Sequence, residues 1–236
     1  DMKLCRPDNT RIIYDGLKIS APYNKTFPSN GAINFCMLAN MTSLKNQRMA
    51  VEACMKLKKV TDKFMLHIIG LDNSEYANSV KSLVRSEGLD DFVKFWGFRY
   101  DVNELLKTMN VGLTLSTHEG FGRVTVEYML HYMPVIGTNT GATPEIIADG
   151  ETGYICPLND TDKLAELMHK FIINPDLITE MGIKGRERAV KNFSLERNTD
   201  EIYKLIQEVI LMILKFVNIL PLLQHVQLEI KSAKIL

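Results

Sequence analysis

No cysteine pair in this chain has the spacing of a metal or redox motif. Cys5, Cys36, Cys54 and Cys156 lie far apart, with no Cys-x-x-Cys, which argues against a zinc site or a redox couple. Cys36 falls in a strand-like apolar run and Cys54 in a helix-like one, so buried free thiols of a reducing compartment are expected. Net charge is also missing, because 28 basic residues balance 28 acidic ones. That excludes the broad basic surface of a nucleic-acid binder and leaves any anionic ligand to be held locally. No apolar run reaches the roughly 20 residues of a membrane span. The nearest, Val209 to Leu223, is interrupted by Lys215, Asn218 and Pro221. The dinucleotide fingerprint Gly-x-Gly-x-x-Gly is absent, which counts against a nicotinamide dehydrogenase. No signal peptide opens the chain, but a start at Asp1 without Met reads as a fragment, so that absence decides little; a cytoplasmic location is the expectation.

What is present is a core. Apolar residues make up 46% of the chain, enough for one ordinary domain with an appendage. After a turn-rich opening, in which Arg11 to Gly16 reads as a short strand, short apolar runs alternate with helical patterns. The expected strands are Ile33–Ala39, Phe64–Gly70, Phe92–Trp96, Val111–Ser116, Pro134–Thr138 and Gly153–Cys156. Helical spacing is expected over Leu44–Lys59, Ser74–Glu87, Val102–Met109, Phe121–Tyr132 and Pro144–Ala148, then over Asp162–Ile173, Pro175–Val190 and from Leu195 onward. Short buried strands, each followed by a helix, imply an α/β fold. The expected fold is a Rossmann-like domain with a parallel six-stranded sheet between helices, plus a C-terminal helical segment. Ligands of such sheets sit beyond the carboxyl ends of the strands.

The most informative run lies at such an end. Glu119 closes the fourth strand pattern, Gly120-Phe121-Gly122 forms a flexible turn, and Glu127 follows on a helix-like segment. Free amides at a helix start attract phosphate, whereas carboxylates suit hydroxyls. Phosphate in the middle with hydroxyls at both ends describes a nucleotide sugar. The alternative is that Glu119 caps the helix and Glu127 is a solvated helix residue. Lys45, beside Asn40 and Thr42 after the first strand, can neutralise a phosphate or be a solvated first-turn lysine. Phe98 and Arg99, after the third strand, are placed to touch a nucleobase. His118 is either a donor to a ligand oxygen or a pocket wall. The turn Gly141 to Glu145 is either a second amide lining or an ordinary strand-to-helix turn.

Taken together, Glu119-Gly120-Phe121-Gly122 through Glu127, Met133 to Gly137, Gly141 to Glu145 and Asp149 to Gly153 resemble glycosyltransferase family 4, whose members are retaining enzymes of GT-B fold. The likeness covers roughly residues 11–208 and implies the C-terminal, donor-binding half of a two-domain enzyme. By resemblance, residues 1–30 are an interdomain linker and remnant of the acceptor domain. Residues 31–208 are the nucleotide-sugar-binding domain, and 209–236 a helical tail. Glu119 and Lys45 are then the catalytic residues. Asn40, Phe98, Arg99, His118, Gly120, Phe121, Gly122, Arg123 and Glu127 are the donor-binding residues. No metal and no cofactor are implied beyond a UDP- or GDP-linked sugar as substrate.

The sequence departs from the family at four places. Asn40 stands where an Arg is usual, Arg123 where an apolar residue is common, Tyr128 where a small one is, and Ala142 replaces a second glycine. Arg123 is expected to replace part of the missing charge, and Tyr128 to narrow the pocket. The resemblance further implies transfer of a hexose to a sugar, polysaccharide or lipid-linked acceptor, in polysaccharide biosynthesis, with the fragment inactive by itself. Competing readings are a sugar-nucleotide epimerase of GT-B architecture and a non-catalytic nucleotide-binding module. For the apolar stripe Ile202 to Val217 the options are docking on the missing acceptor domain, docking on its own sheet, self-association, or a peripheral contact at the cytoplasmic membrane face assisted by Lys231 and Lys234.

Overall fold

The computed structural model describes residues 10–23, 25 and 31–216. Cys5, Pro28, Val217, His225, Lys231, Lys234 and the tail beyond Phe216 lie outside the described residues.

Six strands alternate with helices as the hydrophobic pattern implies. In chain order they are β1 (Ile33–Leu38), α1 (Gln47–Leu57), β2 (Phe64–Ile69), α2 (Glu75–Ser86), β3 (Val93–Phe95), α3 (Val102–Thr108), β4 (Val111–Thr114), α4 (Arg123–Leu130), β5 (Val135–Thr138), α5 (Thr143–Ile146) and β6 (Gly153–Cys156). Then come α6 (Thr161–Ile173), α7 (Asp176–Phe193) and α8 (Leu195–Phe216). All strands are parallel, in the order β3-β2-β1-β4-β5-β6. Strands such as β4 and β5 are buried along their whole length, which is why they read as continuous apolar runs rather than alternating ones. Phe35, Leu66, Val111 and Ile136 join Met49, Ala53, Met168 and Phe171 in one core.

Local chemistry sets the element ends. Ser74 Oγ accepts from the Ala77 N–H at 3.1 Å and caps α2, and Gly88 ends that helix at φ +62°. Some expected features differ: two helix starts shift and one expected strand is not formed. Residue 46 takes a left-handed conformation (φ 58°), so α1 begins at Gln47 rather than Leu44. Gly122 at φ +81° delays α4 to Arg123. The stretch Arg11 to Gly16 forms no strand: Ile12 is exposed, and the first pairing is a single bridge from Leu17 to Ser194. The thiols of Cys36, Cys54 and Cys156 are free and buried. Burial pushes Cys36 up to about 12.

Two compact units are resolved. One is Leu17–Ser194; the other combines residues 10–16 with α8. The division falls at 16/17 and 194/195, and α8 runs unbroken from Leu195 to Phe216. In the second unit Asn198 donates to the Tyr14 carbonyl at 2.7 Å, and Arg11 pairs with Glu208 at 3.1 Å. Along α8, Ile202, Ile206, Val209, Ile210 and Ile213 are about half exposed. Among the described residues no helix is long and apolar enough to cross a membrane.

Candidate active site

The sheet opens where its order reverses. β1 and β4 are neighbours but pair only at Phe35–Val111 and Cys36–Gly112. Beyond that register the strands part, and the Leu38 N–H donates to the Tyr128 hydroxyl instead. Tyr128, fully buried, lies on Gly112, where a Cβ would come within 2.2 Å of the ring. The expectation that Tyr128 narrows the pocket is thereby corrected: its ring fills the core, and its hydroxyl completes the strand end. Such a switch point is where open parallel sheets bind ligands.

A cavity of about 330 Å³ opens there, walled by the ends of β1 and β4 and rimmed by Lys45, Glu119, Gly122 and Arg123. Lys45 Nζ lies 2.8 Å from the Glu119 carboxylate, and Ser116 Oγ donates to the same oxygen at 2.6 Å. The loop after β5 holds Glu119 from behind. Gly141, at φ +52°, approaches so closely that a Cβ would lie 1.7 Å from the Glu119 carbonyl oxygen. Ala142 N–H donates to the Gly120 carbonyl at 3.3 Å.

Glu127 faces a second cavity, of about 430 Å³, bounded by residues 17–20, Asn103 of α3 and the inner face of α4. Burial raises the Glu127 carboxyl above the usual range, and the Arg123 charge partly opposes that. Arg123 lines both cavities. The two acids of the motif thus occupy separate, adjoining spaces with one guanidinium-bearing residue common to them.

The remaining residues singled out in the sequence lie apart from these walls. Asn40 Oδ1 accepts from the Leu71 N–H at 3.0 Å, so its side chain is committed to a neighbouring loop. Phe98 is 56% exposed and meets Tyr100 edge-on. Arg99 makes two bonds to Asp101, at 2.8 and 2.6 Å. Both follow β3, the outermost strand on that side. The exposed His118 ring contacts Thr117 Oγ1 at 3.4 Å. Gly120 has open space where a Cβ would stand, and Phe121 packs edge-on against Phe193. Asp160 and Asp162, not among the residues singled out in the sequence, have the spacing of a metal-binding pair but serve α6 and α1: Asp160 caps the Lys163 N–H at 2.8 Å and Asp162 pairs with Lys56.

Two contributions escaped the sequence reading, Ser116 on Glu119 and residues 17–20 beside Glu127, whereas the Gly141 turn was singled out but not as a brace behind Glu119. Ser116 and Glu119 are three positions apart, which a turn could have signalled. Residues 17–20 are far from Glu127 in sequence, and nothing local marks them.

This arrangement can be set against known proteins. The family model for glycosyl transferases group 1 matches residues 24–188. The chain belongs to that family. An N-acetyl-alpha-D-glucosaminyl L-malate synthase of Bacillus anthracis is 32% identical over 160 residues, covering 68% of this chain and 41% of that protein. The human alpha-1,3/1,6-mannosyltransferase ALG2 is 31% identical over 179 residues, covering 70% and 43%. The chain thus spans less than half the length of these group 1 relatives. Among solved structures, Anabaena Alr3699/HepE in complex with UDP and glucose superposes with a TM-score of 0.74 at 22% identity, over 86% of this chain and 58% of that one. A glycosyltransferase from Rickettsia africae ESF-5 superposes with a TM-score of 0.71 at 27% identity, over 78% and 49%. The fold of this group 1 chain is Rossmann-like, with GT-B glycosyltransferases as its structural neighbours.

Proposed function

We propose that this chain is the donor-binding part of a retaining glycosyltransferase of family 4, which transfers a hexose from a UDP- or GDP-linked sugar to a glycan or lipid-linked acceptor. The observation that carries the reading is the pairing of Lys45 with Glu119 at the crevice mouth, next to a second cavity holding Glu127. In the proposed complex the diphosphate lies by Lys45, Arg123 and the amides of Gly120 to Gly122. The sugar lies against Glu119 and the ribose against Glu127. The base is directed towards the loop of Phe98 and Arg99, with Asn40 and His118 at the margin.

The step this arrangement favours is front-face displacement. The acceptor oxygen bonds to the anomeric carbon as the bond from that carbon to the phosphate oxygen breaks. The acceptor proton passes to the departing phosphate oxygen. Negative charge then grows on the diphosphate and positive charge on the sugar ring. A fixed lysine and fixed amides stabilise the first, and the Glu119 carboxylate the second, more strongly in the transition state than before it. The acceptor half of the cleft would come from the part of the protein that this chain does not contain. The commitment of Asn40 to Leu71 favours, as a second reading, a nucleotide-binding module without catalysis.

The test is to incubate the full-length protein with UDP- and GDP-sugars and candidate acceptors and to analyse the products. Transfer with retained anomeric configuration is expected. Isomerised or hydrolysed donor without transfer would point to an epimerase, and binding without any product to the non-catalytic module. This chain by itself is expected to bind UDP or GDP weakly and to show negligible turnover.

A further inference from the structure

We propose that Arg186 is a positioning residue that sets the width of the Glu127 cavity, an inference that rests on the nucleotide-binding reading of that cavity. Arg186 is a cation in the middle of α7, only 7% exposed. Its Nη2 donates to the Ser20 carbonyl at 2.6 Å and its Nη1 to the Leu130 carbonyl. Its guanidinium carbon lies 4.8 Å from the Tyr132 ring centre. Ser20 and Leu130 belong to opposite walls of the same cavity, one on the strap of residues 17–20 and the other on α4. One planar fork therefore staples the two walls. A lysine could not do this, because a single ammonium does not present two diverging donors in a fixed plane. Burying a cation is costly, and carbonyl groups could have been satisfied by cheaper donors.

The rest of the strap shares the arrangement. Leu17 N–H donates to the Phe193 carbonyl at 2.9 Å. The Tyr23 hydroxyl and Lys25 Nζ both donate to the His131 carbonyl, at 3.1 and 2.9 Å. These bonds anchor the two ends of the strap, and Arg186 holds its middle at the cavity.

The experiment uses the full chain with UDP and GDP as probes. Arg186→Lys is compared with wild type and with Val84→Ala, a core truncation in α2 that lowers stability without touching the strap. Amide exchange of residues 17–23 and nucleotide affinity by calorimetry are both read. The expected result is faster exchange of the strap and affinity weaker by roughly tenfold in Arg186→Lys, the loss of one charge-assisted bond. Val84→Ala should keep its affinity at matched melting temperature. Wild-type exchange in Arg186→Lys overturns the staple, as does unchanged affinity where the wild type binds. Failure of the wild type to bind either nucleotide overturns the reading of the site, while the exchange measurement still judges the staple.

Discussion

Lys45 and Glu119 stand 74 positions apart in the chain, yet their side chains meet at 2.8 Å across the mouth of the β1–β4 crevice. Lys45 is partly exposed and Glu119 is 13% exposed, so the pair itself adds about 1 kcal/mol or less to the fold. Its value lies in what either group can do once a ligand separates them. Lys45→Met should leave the melting temperature nearly unchanged, weaken UDP or GDP binding by the chain, and flatten the dependence of that binding on salt. Glu119→Gln, in the full-length enzyme, should lower kcat by about a hundredfold, with a smaller change in KM. Equal nucleotide affinity in Lys45→Met and wild type would remove the lysine from the site.

Two glycines near Glu119 should respond to substitution very unequally. Gly141→Ala places a Cβ 1.7 Å from the Glu119 carbonyl oxygen at a left-handed backbone position. The backbone must move, at a cost of about 2–4 kcal/mol, and Glu119 must move with it. Gly120→Ala meets open space and should change stability by about 1 kcal/mol or less. Thermal unfolding separates the two. A Gly141→Ala protein as stable as Gly120→Ala would show that this close approach of the loops is not needed.

The contrast between these glycines also marks what could be read from the chain alone. The strands and helices were legible because short apolar runs alternate with 3.6-residue spacing, and burial on both sheet faces leaves that signature in β1, β2 and β4. The span Ser74–Glu87 was legible because the caps at its two ends, Ser74 and Gly88, act through local chemistry. The start of α8 at Leu195 was legible too, but its grouping with residues 10–16 in one compact unit was not, because those segments are far apart in the chain. Within the site, Glu119, Gly122, Arg123 and Glu127 are close in sequence and stood out together. Arg186 did not, and Gly141 stood out only as a strand-to-helix turn or amide lining, because bracing Glu119 depends on a backbone brought close by the sheet order. Tyr128 was placed on the wrong side of its helix, since one turn of α4 decides whether a residue faces the crevice or Gly112.

Glu127 should show a trade between stability and binding. Burial raises its carboxyl in the folded state. Relative to the unfolded chain, the folded protein therefore favours the protonated acid. The stability tied to this group is present below the unfolded pKa and is lost as pH rises through the folded one. At pH 7 the buried carboxylate is a cost. Glu127→Gln should consequently raise the melting temperature at pH 7 and leave it unchanged near pH 3, while weakening nucleotide binding. A variant that gains no stability between those pH values would show that the carboxylate is adequately compensated where it stands.

Arg123 opposes that desolvation and lines both cavities. Arg123→Leu removes the opposing charge, so Glu127 should titrate at still higher pH. Nucleotide affinity should fall and become less sensitive to salt, because one cation near the diphosphate is gone. If donor affinity and its salt dependence both stay at wild-type values, Arg123 does not replace the charge missing at Asn40.

The last prediction concerns a histidine outside the site. His67, 8% exposed on β2, accepts from the Trp96 indole N–H through Nδ1 at 3.0 Å and meets Asn34 Oδ1 through Nε2 at 3.2 Å. Nδ1 as acceptor leaves the proton on Nε2, which donates to Asn34, so the neutral ring is satisfied on both sides. Burial, helped by the Lys94 charge, lowers its pKa from 6.5 to about 4. The unfolded chain thus binds a proton that the folded one refuses between those values. Stability is full above about 6.5 and falls as pH drops towards 4, by an amount on the order of 3 kcal/mol. Below 4 the Nδ1 lone pair is lost, and the indole loses its acceptor. Trp96 is the sole tryptophan of the chain, so its emission reports the event directly. Denaturant unfolding of wild type should weaken from pH 6.5 to 4, whereas His67→Gln should show a flatter profile over that range. Identical profiles, with tryptophan emission constant down to pH 4, would show that His67 is already protonated within the fold.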